Sequence, residues 1–134
     1  MKKICALLAL GLVLFSCSKG EDRYISELKP VFEVDMPTAF AKDSVTNIPI
    51  RYKKQSTCHL YNGLYYNREG LTRTVAINTI KINEDNCQTD LNTNVQVNLA
   101  FRPEALGTYR FKFWIGEDAL GVDQFIEYDA VVNH

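Results

Sequence analysis

The clearest alternation in the chain lies between Gly107 and Asn133, where two runs of period two flank a turn rich in glycine and acidic residues. Tyr109, Phe111, Phe113 and Ile115 share one parity, with Thr108, Arg110 and Lys112 on the other. The second run places Ile126, Tyr128, Ala130 and Val132 inward and Glu127, Asp129 and Asn133 outward. Alternation of that length predicts strands with one buried and one wet face, here a closing antiparallel hairpin. Its apolar face needs cover, so the upstream chain must supply further strands.

That chain divides into short alternating pieces. Phe32, Val34 and Met36 alternate with Glu33 and Asp35 and stop at Pro37. Ile48, Ile50 and Tyr52 make a second inward set, within which Pro49 predicts a sheet edge or a bulge, because proline cannot donate to a ladder. Cys58 and Leu60 continue inward in a third strand that ends at Asn62-Gly63. Val75 and Ile77 point inward from the run Thr72 to Ile77, and after Asn78 the apolar parity changes to Ile80 and Ile82. Such a slip predicts a bulge or a strand passing from one sheet to the other. Asn83 to Asn86 is a turn, Asn92 to Asn94 punctuates again, and Val95, Val97, Leu99 and Phe101 form a strand stopped by Pro103. No segment sustains a helical period, although Pro103 to Leu106 has room for one helical turn. About seven short strands between turn signals predict an all-β protein, an immunoglobulin-like antiparallel β-sandwich. Tyr109 then stands where a tyrosine corner would place its hydroxyl against upstream backbone, or serves as an ordinary core residue.

The first sixteen residues do not belong to this body. Lys2 and Lys3 precede an uncharged apolar run of about a dozen residues, shorter than the ~20 needed to span a bilayer. A basic start, a short apolar stretch and a small residue before a cysteine form a secretory signal. Leu14-Phe15-Ser16-Cys17 resembles the lipobox of bacterial lipoproteins, which implies cleavage before Cys17 and a diacylglycerol on its thiol, so that Cys17 carries acyl chains such as palmitate. The division expected is residues 1–16 as a cleaved lipoprotein signal peptide, 17–29 as a lipidated tether and 30–134 as the sandwich. An ordinary signal peptide, leaving Cys17 a free thiol, is the competing reading. Within the tether, Lys19, Glu21 and Asp22 resemble the charged export tag of surface lipoproteins of the Bacteroidota, with Gly20 interrupting the usual adjacency.

Removal of Lys2 and Lys3 from 15 basic residues leaves 13 against 16 acidic ones, a net charge of about −3. No basic block tracks a phosphate backbone, so nucleic acid is not expected as a partner. Cys58 and Cys87 remain as a pair, and in an exported chain a disulfide between them is expected. Two separate buried thiols are the alternative. His59 beside Cys58 offers only a weak zinc reading, since no C-x-x-C or H-x-x-x-H spacing accompanies it.

The lipobox, the strand Thr72 to Ile77, the two mature cysteines and the run GTYRFKFWIGEDALGVDQFIE together resemble small immunoglobulin-like lipoproteins of the Bacteroidota of undefined role. The likeness implies a fold and an outer-membrane location, periplasmic or cell-surface, and no activity. Asp43-Ser44-Val45 further resembles the O-glycosylation acceptor of Bacteroidota envelope proteins, which makes Ser44 a candidate, although a turn before a strand accounts for the same residues.

Catalytic patterns are lacking. There is no G-x-S-x-G elbow and no phosphate-cradling glycine loop, and the only histidines are His59 and His134. An enzyme is therefore not expected, and neither a cofactor nor a metal is called for. Glu117, Asp118 and Asp123 around the last turn offer a calcium reading, but their spacing is not that of an EF-hand.

Two surface features remain as candidate binding residues. Trp114 and Phe125 lie on the outward parity of the closing hairpin, where antiparallel pairing would set them side by side as an apolar spot. Tyr61, Tyr65, Tyr66 and Arg68 gather around Asn67 and suit sugar or protein recognition. Cover by a loop or by the second sheet's edge is the plainer account of the first, and tyrosines buried under a loop that of the second. The function expected is a non-catalytic binding or assembly module with a protein or glycan partner, held to the membrane through Cys17. The alternative is an inhibitor of an envelope or extracellular hydrolase.

Overall fold

The computed structural model describes residues 23–134, less the side chains of residues 90–93. Eight strands run in the order β1 (Tyr24–Lys29), β2 (Val31–Val34), β3 (Thr46–Ser56), β4 (His59–Glu69), β5 (Thr72–Ile82), β6 (Thr89–Phe101), β7 (Gly107–Glu117) and β8 (Asp123–Val132). Among the described residues there is no helix, and Pro103 to Leu106 is irregular chain.

Strands β2, β3 and β6 form one sheet, and β1, β4, β5, β7 and β8 form the other. The arrangement is an all-β sandwich of the immunoglobulin-like kind. Strand β4 pairs along one side of β5. The other side is shared in tandem. Strand β1 takes Ile77 to Ile82 and runs antiparallel, while β7 takes Thr72 to Val75 and runs parallel, the one parallel strand pair of the described sheets. Pro30 carries the chain from β1 in the larger sheet to β2 in the smaller.

The core is what the alternation predicts for the long strands. Ile48, Ile50 and Tyr52 of β3 and Leu99 and Phe101 of β6 face Tyr109, Phe111 and Phe113 of β7, with Ala130 and Val132 of β8 behind. Phe101 meets Tyr109 and Phe111 edge-on, with centroids 5.1 and 4.8 Å away, the geometry that aromatic quadrupoles favour. The inward run on β7 ends sooner than its pattern implies: a register shift between Trp114 and Gly116 releases the strand, and Ile115 is exposed.

Several local expectations are corrected. The segment Tyr24–Lys29, read as tether, is β1, and its inward positions are the polar Glu27 and Lys29, so no apolar alternation marks it. In β2 a register shift between Val31 and Glu33 turns Val31 and Val34 inward and leaves Phe32 exposed, with the Lys53 ammonium 5.2 Å from its ring centroid. Asn62-Gly63 is a bulge inside β4 and not its end, and Leu60 is exposed; the turn falls at Gly70 and Leu71. No slip occurs in β5. Thr79 keeps the inward parity, fully buried, with its hydroxyl donating to the Glu27 carbonyl at 2.8 Å, so Ile80 and Ile82 lie on the outer face. Strand β6 begins at Thr89 and runs through Asn92 to Asn94.

Pro49 sits in the middle strand of its sheet. Its carbonyl accepts the Asp35 N–H at 3.0 Å. In an antiparallel pair both backbone groups of a residue point the same way, so its nitrogen faces the β2 side just past the end of that strand. The β6 ladder loses no bond.

Candidate functional site

The outer face of the larger sheet carries an aromatic recess. Trp114 and Phe125 stand directly opposite each other across β7 and β8, the side-by-side placement expected of them. On β4 the bulge between Tyr61 and Leu64 shifts the pairing by one residue. A shift of one residue exchanges the two faces of a strand. Tyr61 therefore pairs with buried Thr79 and leans inward, with its ring 6.5 Å from that of Tyr52, whereas Tyr65 pairs with Ala76 and points outward.

Ala76 is the floor. Its side chain is small and its neighbours on the flanking strands are large, so Tyr65, Leu28, Trp114 and Phe125 enclose a hollow of about 410 Å³ with Glu117 and Asp123 at its rim. The sheet topology explains the hollow. Where the place beside β5 passes from β1 to β7, the two strands run toward each other and must part. Strand β1 turns away at Pro30 and β7 loosens at its bulge. A second recess of about 710 Å³ opens in the same fork and shares Leu28, Trp114 and Glu117 with the first.

The indole is fixed: Trp114 Nε1 donates to Asp123 Oδ1 at 2.9 Å. Lys112 lies over Phe125, 4.5 Å from the centroid. Asp118 is occupied by its own turn, where it accepts from the backbone N–H groups of Leu120 and Val122 at 2.8 and 3.0 Å. Among the described residues no three histidine, cysteine or acidic side chains converge to hold a metal ion.

The tyrosine cluster read from sequence is thus divided. Tyr65 joins Trp114 and Phe125, while Tyr66 packs against the core and Arg68 lies 5.6 Å from the Tyr66 ring centroid. Ser44 is exposed in the loop before β3, after Asp43 at a φ of 59°. Cys58 and Cys87 form a disulfide with a Cα separation of 5.4 Å, joining the start of β4 to the β5–β6 connection. Cys17, the leader and the charged residues Lys19, Glu21 and Asp22 lie outside the described residues.

One polar cluster escapes the sequence entirely. His59 Nδ1 lies 2.7 Å from Ser56 Oγ and its Nε2 lies 3.2 Å from Glu27 Oε2. Serine, histidine and glutamate lie in a row, and their hydrogen bonds clamp β1, β3 and β4 together. Ser56 Oγ accepts the Cys58 N–H at 3.2 Å, and the Glu27 carboxylate is paired with Lys29 Nζ at 3.0 Å. Lys29 Nζ in turn donates to Gln55 Oε1 at 2.8 Å, tying the two sheets together. No local pattern signals this, because its members come from β1, β3 and β4. Leu28 of the recess was hidden in the same way, on a strand with no apolar alternation.

No family model, curated protein or solved structure matches the chain.

Proposed function

We propose that the protein is a non-catalytic binding module of the bacterial outer membrane, anchored by acyl chains on Cys17, that engages a partner through the recess of Tyr65, Trp114 and Phe125. The observation that carries this reading is that rings from β4, β7 and β8 meet around a small floor residue on an otherwise solvent-facing sheet. Tyr65 is exposed and Trp114 and Phe125 are half-buried, and aromatic rings grouped in one hollow suit a recognition surface, since they add contact area at low entropic cost. The leader and lipobox support export and anchoring, as does the resemblance to small lipoproteins of the Bacteroidota. A disulfide accords with an oxidising compartment. The serine, histidine and glutamate clamp supports recognition without turnover, since each member already holds the fold together.

Two measurements test the reading. Metabolic labelling with an alkynyl fatty acid is expected to mark the wild type and not Cys17→Ala, and equal labelling of both would remove the anchor. A photo-cross-linking residue at Tyr65 is expected to trap a discrete partner in intact envelopes, whereas one at Val45, exposed on the loop before β3, is not. A trapped hydrolase would favour inhibition, and a trapped barrel or glycan would favour assembly or sugar binding. Identical yields at both positions would show that the recess is not the contact.

A further inference from the structure

We infer that the recess receives a cationic side chain, lysine or arginine, from a basic segment of a protein partner. The inference rests on the recess being the binding surface and adds the chemistry of what enters it.

Charge decides between occupants. Glu117 and Asp123 stand at the rim, and Asp118 follows Glu117 in the turn. Among the described residues none of the three forms an ion pair, whereas the carboxylates of Glu27, Glu33, Asp35, Glu127 and Asp129 all do. Asp123 accepts the indole N–H and keeps its second oxygen for another donor. The turn therefore presents uncompensated negative charge beside aromatic faces.

Aromatic faces attract cations through their quadrupole, and most strongly that of tryptophan. Lys112 already shows this locally, seated over Phe125. It occupies that ring and leaves Trp114 and Tyr65 for an incoming group. A guanidinium or ammonium entering the hollow beside Trp114 and Tyr65 would meet rings on its flanks and the carboxylates of Glu117 and Asp123. An uncharged sugar would use the rings but not the net charge, and an acidic segment would be repelled. The adjoining recess past Leu28 and Trp114 extends the groove, with room for residues flanking the cation.

The chain has a single tryptophan, so its emission reports on this site alone. The purified full chain is titrated with an amidated arginine-serine repeat peptide, with a glutamate-serine peptide of equal length and with neutral oligosaccharides. The arginine peptide is expected to change Trp114 emission saturably. Its apparent Kd should rise at least tenfold in Glu117→Gln/Asp123→Asn and rise with salt, since screening weakens exposed charge pairs. An unchanged circular dichroism spectrum and melting temperature in that variant establish that it is folded, and Glu117→Gln alone, which leaves the indole bond intact, should give an intermediate loss. Equal responses to all three ligands, or an unaltered Kd in the folded variant, overturn the inference. If sugars alone shift the emission, the cation is wrong and the binding surface stands. If nothing shifts it and Tyr65 traps no partner, both readings fall.

Discussion

The ring of His59 stands 3.2 Å from the carboxylate of Glu27, which joins the first residue of β4 to β1 inside the sandwich. Glu27, Lys29 and Lys81 are the charged groups around that ring, and Ser56 holds its other nitrogen. Burial first, then the Lys29 ammonium, keep the imidazole below its ordinary value near 6.5, against the pull of Glu27. The unfolded chain therefore takes up the proton first as pH falls, and stability drops from about pH 6.5 downward. The hydrogen bond from Lys29 lowers Glu27 in turn, so its contribution is lost at lower pH, below about 4.5. Urea midpoints are expected to fall between pH 7 and pH 5 in the wild type and to flatten over that interval in His59→Gln. An unchanged slope in the variant would assign the acid sensitivity elsewhere.

The disulfide spans 29 positions and closes the loop that contains β4 and β5. Restricting the unfolded chain over that length contributes roughly 3–4 kcal/mol in the loop-entropy account. Cys58→Ser/Cys87→Ser, or reduction of the wild type, is expected to lower the unfolding free energy from urea denaturation by a matching amount. A loss under ~1 kcal/mol would mean that the unfolded chain is already restricted there.

Tyr109 closes the corner before β7. Its hydroxyl donates to the Ala105 carbonyl at 3.1 Å and accepts the Ala105 N–H at 3.2 Å, with the ring fully in the core. Tyr109→Phe keeps the packing and strands both backbone groups, a cost of about 1–3 kcal/mol. Chemical denaturation is expected to show that loss while the near-ultraviolet spectrum stays native in form.

Gly63 makes the β4 bulge at a φ of +88°, with open space where a side chain would begin. Gly63→Ala meets no clash, so its cost is the backbone preference alone, about 1–2 kcal/mol. Deleting Gly63 has a different outcome. Loss of the extra residue leaves one residue opposite Asn78 and an unbroken ladder, with Tyr65 still paired with Ala76 on the outer face and Tyr66 with Val75 on the inner one. Cross-linking from the tyrosine at position 65 should then persist in the folded deletion variant, and its loss would show that the bulge itself shapes the recess.

Legibility followed the chemistry of the inner faces. Strands β3, β6, β7 and β8 bury apolar side chains on one side, so alternation found them, and their hairpin register paired Trp114 with Phe125 in advance. Strand β1 turns half-buried Glu27 and buried Lys29 inward, and their partners His59 and Gln55 lie more than twenty-five residues away, so locally it reads as a solvated linker. The bulge in β4 was read as a turn because Asn-Gly serves in either role, and only pairing with β5 separates them.

What residue order alone settles here is the set of strands with an apolar face, the two cysteines available to bond and the placement of two aromatic rings side by side, because each depends on neighbours or on hairpin pairing. Whether Tyr65 belongs with those rings was settled only in three dimensions. It depends on a one-residue bulge in β4 and on a parallel pairing of β5 with β7, and neither leaves a mark in local periodicity. A sheet whose central strand changes partner from β1 to β7 must open at the change, and that opening is the recess.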